Sequence, residues 1–375
     1  MIVSTIIYSF AFAISLVLCY IYEKKVDKAE CKNRLLWMIL IIAPVVILAG
    51  LRYGIGIDYF EYEENFYQNK FEKGFSYFIK EPLNFLIMQI SHFIFPNSVV
   101  IFFVYSLITM VVLFLAIEYY KHRMSVTFAL FIFYMTYYLV SYNIIRQMIA
   151  VMIIFYGIRY IFEKKFLNFF VCVVLAGMIH KTAYLMIIVY FFCDENLGFL
   201  HKIKLFEKPK ISENTQSIII YIVIGVLPFL LIPFIPKVIS VLGIYKTYLT
   251  KQTALNLNFL LYVLPILTLI LVFRREILNE NKQNEFFIRM IILQIPFQFM
   301  GGMIKYIDRF ALYPAIMQII LIPILVRNLR ASKMHKLIKF SIIGWYIFYF
   351  VVMFVILNSN GVMPYQTIFC NRSEI

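Results

Sequence analysis

Isolated charged side chains between long apolar runs are the residues of this chain whose types are suited to chemistry. Most of the other Lys and Arg residues stand in basic clusters, whereas these single charges lie beside glycines, tyrosines or short turns. Guanidinium groups suit phosphate oxygens, and carboxylates and histidine serve as acceptors of a hydroxyl proton. The candidates are Arg52, Asp58, Arg146, His180, Lys181, Lys305, Asp308 and Arg309.

The first motif, LRYGIGIDY at 51–59, follows the second apolar run. Its two glycines predict a helix break where backbone can approach a ligand closely. Arg52 and Asp58 flank this turn. In one interpretation they form an ion pair that clamps a loop beside interfacial tyrosines. In the other, Arg52 binds phosphate oxygens and Asp58 contacts a sugar hydroxyl.

The second motif, NIIRQ at 143–147, places an arginine at the start of an apolar run. An arginine at the centre of a membrane helix costs roughly 2.5–3.5 kcal/mol on insertion scales, and less near the interface. The side chain of Arg146 therefore either snorkels to the headgroups or has a ligand-facing role. The neighbouring Gln147 and the tight hairpin before it favour the second interpretation.

The third motif, MIHKTA at 178–183, interrupts an apolar stretch that we predict to break into two short helices at His180 and Lys181. A lone histidine is often a structural group. Beside a lysine in a broken segment, however, a neutral imidazole also suits the role of general base toward a hydroxyl nucleophile.

The fourth motif, GGMIKYIDRF at 301–310, gathers two cations and one anion after a glycine pair, and Tyr313 follows. It is either an interfacial anchor with an Asp308–Arg309 pair, or a phosphate site in which tyrosines stack on sugar rings. Farther upstream, Glu61, Glu63 and Glu64 have irregular spacing for a calcium site, so a solvated loop is the favoured interpretation.

The elements that must position these residues are membrane helices. Of 375 residues, 63% are hydrophobic and 15% are charged, and the apolar residues form runs of about 15–22 residues, which suit a ~30 Å hydrocarbon core. The sequence therefore predicts an all-α polytopic bundle of about twelve transmembrane segments in a single domain, 1–375. Loop 52–98 is the largest and contains an interfacial helix near 83–95. The segments are 1–22, 35–51, 99–119, 124–140, 147–162, 166–179, 182–194, 216–235, 257–273, 285–300, 308–326 and 340–358.

The bias of basic residues between alternate joints predicts the orientation. One set of joints carries 21 Lys and Arg residues, and the set with the four motifs carries 12. The positive-inside rule places the first set in the cytoplasm and the motifs, with loop 52–98, outside. The net charge of +15 then lies at helix ends, where it meets membrane lipids rather than nucleic acid. The five cysteines show no metal-ligand spacing.

The ordered set of motifs resembles the EpsG family of Wzy-like polysaccharide polymerases. The resemblance rests on RYGIGIDYFEY, KEPLNFLIMQI, IIRQMIA, MIHKTAYL and YIDRFALY. It implies a bacterial cytoplasmic-membrane glycosyltransferase with a GT-C-like helix arrangement, which polymerises undecaprenyl-diphosphate-linked repeat units outside the membrane into O-antigen, capsule or exopolysaccharide. The motifs match at Arg52, Asp58, Arg146, His180 and Arg309, whereas Asp308 and Phe310 stand where many relatives carry other residues.

The resulting hypothesis is glycosyl transfer from a lipid diphosphate, with fixed cations stabilising the leaving group. We predict His180 as the base, with Asp58 as second choice, and no metal or cofactor. A chain-length regulator and a flippase are candidate partners. An O-antigen ligase, a flippase or other transporter, and a purely structural partner are the alternatives. The predicted substrate-binding residues are Arg52, Arg146, Gln147, Lys181, Lys305, Asp308, Arg309 and Tyr313.

Overall fold

The computed structural model describes residues 1–28, 33–68, 79–193, 213–230, 258–301 and 307–369. The described residues are predominantly helical and hold no β-strand beyond an isolated antiparallel bridge between Arg52 and Thr367. The all-α prediction is therefore confirmed for this part of the chain, and the apolar helices indicate a membrane protein.

The helices follow the apolar runs of the sequence. In chain order they are α1 (Ile2–Asp27), α2 (Arg34–Gly50), α3 (Tyr59–Tyr67), α4 (Pro82–Ile94), α5 (Val99–Tyr119), α6 (Val126–Thr136), a 3₁₀ turn (Val140–Tyr142), α7 (Ile145–Phe162), α8 (Phe166–Ile179), a long 3₁₀ helix (Lys181–Phe192), α9 (Glu213–Leu230), α10 (Asn258–Val272), α11 (Arg274–Glu280), α12 (Asn284–Met300), a 3₁₀ segment (Ile307–Ala311), α13 (Leu312–Ala315), α14 (Gln318–Asn328), a 3₁₀ turn (Leu329–Ala331), α15 (His335–Phe350) and a π-helical turn (Val351–Ile356).

Each predicted segment coincides with helix where the structure describes it. These helices differ in length, however, and only some are long enough to cross a membrane. Within the described ranges, five helical stretches are long and apolar enough to cross a membrane: Ile2–Val26, Val99–Tyr119, Ile145–Phe162, Ile307–Ala331 and His335–Ile356. The other apolar helices there have 10–17 residues. A total of twelve crossings and a GT-C-like arrangement therefore stay predictions.

Loop 52–98 is more structured than its composition suggests. The prediction of a helix near 83–95 is confirmed by α4, while its place at the interface stays a prediction. The interpretation of 61–64 as a solvated loop is wrong, because these residues lie in α3. This helix buries Tyr59 and Phe66, and the Tyr59 ring stacks on Phe102 at 4.5 Å. Apolar burial at the two ends of α3 thus outweighs the acidic residues between them.

The chain divides into two compact units. The first comprises Met1–Tyr156, Leu175–His180 and Leu329–Ile375, and the second comprises Gly157–Val174 and Lys181–Asn328. In the first unit α1 packs on α2 and α6, α2 packs on α5, and α15 packs on α6. In the second unit α12 packs against α9, α10 and the 3₁₀ segment that begins at Ile307. The single domain over 1–375 stays a prediction.

Polar side chains fix the helix ends of the first unit. Ser125 caps α6 by accepting the Phe128 N–H at 3.2 Å. The Glu23 carboxylate, on α1, accepts the backbone N–H groups of Val126 and Thr127 at 2.6 and 3.1 Å. A carboxylate at a helix N-terminus satisfies unpaired donors and complements the helix dipole. These contacts set where α6 begins against α1.

A row of buried tyrosines connects the end of α6, and the turn after it, to neighbouring helices. Tyr134, near the end of α6, and Tyr138 and Tyr142, beyond it, recur every four residues and are all buried. The Tyr134 hydroxyl is 2.6 Å from the Ser15 hydroxyl, the Tyr142 hydroxyl donates to that of Tyr138, and Tyr138 donates to the Val45 carbonyl. The turn at 140–143 is thereby positioned against α1 and α2.

Candidate functional site

Arg52 is a buried clamp between the glycine-containing loop and the turn after α6. Its Nη2 donates to the Tyr142 carbonyl at 3.1 Å. The guanidinium carbon lies 4.0 Å from the Tyr142 ring centroid and 4.6 Å from that of Phe102. Arg52 is 1% exposed, and burial lowers its pKa. A guanidinium placed over aromatic rings is attracted by their electron-rich faces.

The loop after Arg52 is held by a segment near the end of the chain. The Gly56 N–H donates to the Gly361 carbonyl at 2.9 Å, and the Tyr53 N–H donates to the Gln366 carbonyl at 3.0 Å. The Ile368 N–H donates in turn to the Leu51 carbonyl at 3.0 Å. Sequence reasoning missed this pairing, because segment 357–369 is irregular and lies some three hundred residues downstream.

Asn143 joins the same loops at the entrance to α7. Its Nδ2 donates to the Asn360 carbonyl at 2.9 Å, and its own carbonyl accepts the Tyr62 hydroxyl, also at 2.9 Å. Gly56 has φ +100°, and a Cβ placed there would lie 2.7 Å from the Asn143 Oδ1. Only glycine fits this combination of backbone conformation and close approach.

Arg146 forms an ion pair that the sequence did not reveal. Its Nη1 lies 2.6 Å from the Glu81 Oε2, and the exposed fractions of the two side chains are 19% and 1%. The Arg146 charge is thus directed to a buried carboxylate, while its placement relative to the headgroups stays a prediction. Glu81 stands within the quoted KEPLNFLIMQI motif, and a lone acid before a helix-starting proline was the available signal.

A small pocket lies beside this pair within the first unit. Its lining combines apolar side chains with two tyrosines, one asparagine and one guanidinium. Tyr105 is held in place by its hydrogen bond to Asn84. The lining residues are Tyr62, Asn65, Met88, Ile101, Tyr105, Ile145 and Arg146.

Asp58, Gln147 and His180 all belong to the first unit. Asp58 is half-buried and directly precedes α3, whereas Gln147 and His180 are buried. Ile179, which precedes His180, belongs to one hydrophobic cluster with Tyr59, which follows Asp58. The α-helix ends at Ile179, which confirms the predicted break at His180.

The second unit holds the remaining predicted residues. Thr182 and Tyr313 are both buried, and their hydroxyls lie 2.9 Å apart, which joins the start of the long 3₁₀ helix to α13. Lys181 and Arg309 are half-buried and Asp308 is exposed. A Cβ at Gly301 would lie 2.6 Å from the Asp308 Cβ, so the turn after α12 needs glycine there. Lys305 lies outside the described residues.

The candidate residues are divided between the two units. The first unit holds Arg52, Asp58, Arg146, Gln147 and His180, and the second holds Lys181, Asp308, Arg309 and Tyr313. Their convergence on one ligand stays a prediction. No group of three or more His, Cys, Asp or Glu side chains in the described ranges is placed to hold a metal ion.

The fold and this arrangement define a helical membrane protein with a buried Arg–Glu pair at the edge of a pocket. Comparison with family models matches residues 34–367 to the EpsG family. The chain belongs to this family of Wzy-like polysaccharide polymerases. Membership implies a polymerase that acts in a membrane on a lipid-linked oligosaccharide. Searches of the curated proteins and of the solved structures found no match.

Proposed function

We propose that this protein polymerises polysaccharide on the outer face of the bacterial cytoplasmic membrane, moving a glycan from undecaprenyl diphosphate to a lipid-linked repeat unit. The observation that carries the proposal is the Arg146 guanidinium, fixed by Glu81 at the rim of a partly apolar pocket. The product is O-antigen, capsule or exopolysaccharide. The outward orientation rests on the excess of Lys and Arg at the opposite joints.

The proposed reaction is a displacement at the anomeric carbon of the growing chain. A hydroxyl oxygen of the incoming repeat unit forms the new glycosidic bond, and the bond from the anomeric carbon to the diphosphate oxygen breaks. The hydroxyl proton passes to a base, for which His180 is our first choice and Asp58 the second. Undecaprenyl diphosphate leaves with the electron pair of the broken bond.

Negative charge develops on the departing diphosphate, so a fixed cation stabilises the transition state more than the ground state. Arg146 lines the pocket and is suited to this role. Arg52 is buried beneath the aromatic rings, which supports a role in positioning the loop and the turn rather than direct phosphate binding. In the second unit, Arg309, Lys181 and Lys305 are the proposed phosphate ligands, and Asp308 and Tyr313 are proposed to contact substrate.

Lipid-linked glycans from a strain that lacks the gene test this proposal. We expect long chains to disappear and single capped repeat units to accumulate on the lipid carrier, because initiation and export precede polymerisation. Restoration of the gene should return the ladder of chain lengths. A ladder that persists on the carrier while glycan is lost from lipid A core would instead identify a ligase, and unprocessed units held on the cytoplasmic face would identify a flippase.

A further inference from the structure

The Glu81 carboxylate takes no part in the reaction scheme above, although it touches the cation on which the scheme depends. Its Oε2 lies 2.6 Å from the Arg146 Nη1, a charge-assisted hydrogen bond. With 1% of its side chain exposed, Glu81 is removed from solvent. Arg146, at 19%, keeps an accessible edge and lines the pocket. Arg146 therefore lines the pocket, whereas the Glu81 carboxylate contacts Arg146 from the protein interior.

Glu81 is itself fixed by the start of α4. It directly precedes Pro82, and its carbonyl accepts the Phe85 N–H at 3.0 Å. Arg146 stands 65 residues downstream on α7, so the pair fixes the arginine side chain to a second, separately positioned helix.

We propose that Glu81 is a positioning residue that orients the Arg146 guanidinium toward the donor diphosphate in this pocket. The inference rests on the proposed function and deepens it. A guanidinium carries five N–H donors in a rigid fork, so it can hold Glu81 through Nη1 and also bind phosphate oxygens. An arginine side chain with fixed orientation loses less conformational freedom when the ligand binds. Glu81 contacts no ligand in this scheme and is not a base.

The test is the Glu81→Gln variant, purified in nanodiscs and supplied with lipid-linked repeat units extracted from the deletion strain. The amide keeps the shape of the side chain and an acceptor oxygen but loses the charge that orients Arg146. We expect KM for the lipid-linked unit to rise at least about fivefold, with Glu81→Asp in between. A smaller folded fraction lowers the maximal rate without changing KM, so KM separates positioning from mere stability.

Glu285→Gln is the matched control. Glu285, on α12 of the second unit, pairs with Arg274 at 3.0 Å, with exposed side-chain fractions of 10% and 20%, and is not among the residues that line the pocket. Its loss should reduce the yield of folded protein but leave KM unchanged. An unchanged KM in Glu81→Gln, or an equal rise in Glu285→Gln, overturns the positioning role.

The exchanged pair, Glu81→Arg with Arg146→Glu, decides the matter if Glu81→Gln does not accumulate. We expect this double variant to accumulate without elongating glycans, because the cation then lies on the wrong helix. Normal elongation by the exchanged double variant overturns the proposal. So does failure of both Glu81→Gln and the double variant to accumulate, because the ion pair then serves the stability of the fold. If the wild-type protein does not elongate glycans, the proposed function itself is contradicted. If the wild type elongates glycans and KM is unchanged in Glu81→Gln, only the positioning role is contradicted.

Discussion

Replacement of Arg146 by alanine is expected to abolish long glycan chains, with single lipid-linked repeat units accumulating instead. Loss of a charge-stabilising group in a water-poor site typically costs on the order of a hundredfold or more in rate. Arg146→Lys keeps the charge but not the planar fork, so we expect short chains at a rate lowered about tenfold. Gel separation of extracted glycans and quantification of lipid-linked units measure both effects.

The alanine variant needs a second substitution as a control for folding. Removing one partner of a buried ion pair costs about 3–5 kcal/mol, because the remaining charge is left uncompensated. Glu81→Gln with Arg146→Ala removes that uncompensated charge. We therefore expect the double variant to recover normal protein levels while chains stay absent. Recovery of a normal ladder in the double variant would show that Arg146 serves only to neutralise Glu81.

The second large effect is expected from Gly56→Ala, which alters the loop beneath the site. A non-glycine residue at φ +100° costs about 1–3 kcal/mol in backbone strain. The added Cβ also lies 2.7 Å from the Asn143 Oδ1, and moving that side chain breaks its bonds to Asn360. We expect the midpoint of thermal unfolding in detergent to fall by several degrees and polymerisation to fall with the folded fraction.

Gly54→Ala is the matched control for this substitution. Gly54 also has a positive φ, +63°, but the atom nearest to a Cβ added there is a Phe60 ring carbon at 3.4 Å, an ordinary contact. Only the milder left-handed penalty of roughly 1–2 kcal/mol should apply. Equal losses in the two variants would mean that the close approach to Asn143 does not matter.

The helices could be predicted because their signal is local. A run of some fifteen apolar residues favours a helix wherever it lies, and the break at His180 is predicted from the polar pair His180–Lys181 between two such runs. The same reasoning failed for α3, where three glutamates suggested a loop. Its helix depends on Tyr59 stacking against Phe102, a contact between residues 43 positions apart that periodicity does not encode.

In the candidate site, too, local features could be predicted from the sequence and contacts between distant residues could not. The sequence identified Arg52 and Arg146 as unusual, but not that one is buried in aromatic rings and the other is ion-paired. Both facts depend on partners far along the chain, at Tyr142 and Glu81. A single sequence reports the cost of a charge within an apolar region, whereas only the fold shows what compensates it.

Binding of undecaprenyl diphosphate to the purified protein tests the central claim most directly. The measurement compares the wild type with the Glu81→Gln/Arg146→Ala double variant in nanodiscs, with undecaprenol as the ligand that lacks phosphate. We predict that the double variant binds the diphosphate at least about tenfold more weakly, a loss of about 1.4 kcal/mol, while undecaprenol binds both proteins alike. Equal affinity of the two proteins for the diphosphate would contradict the assignment of Arg146 as its ligand.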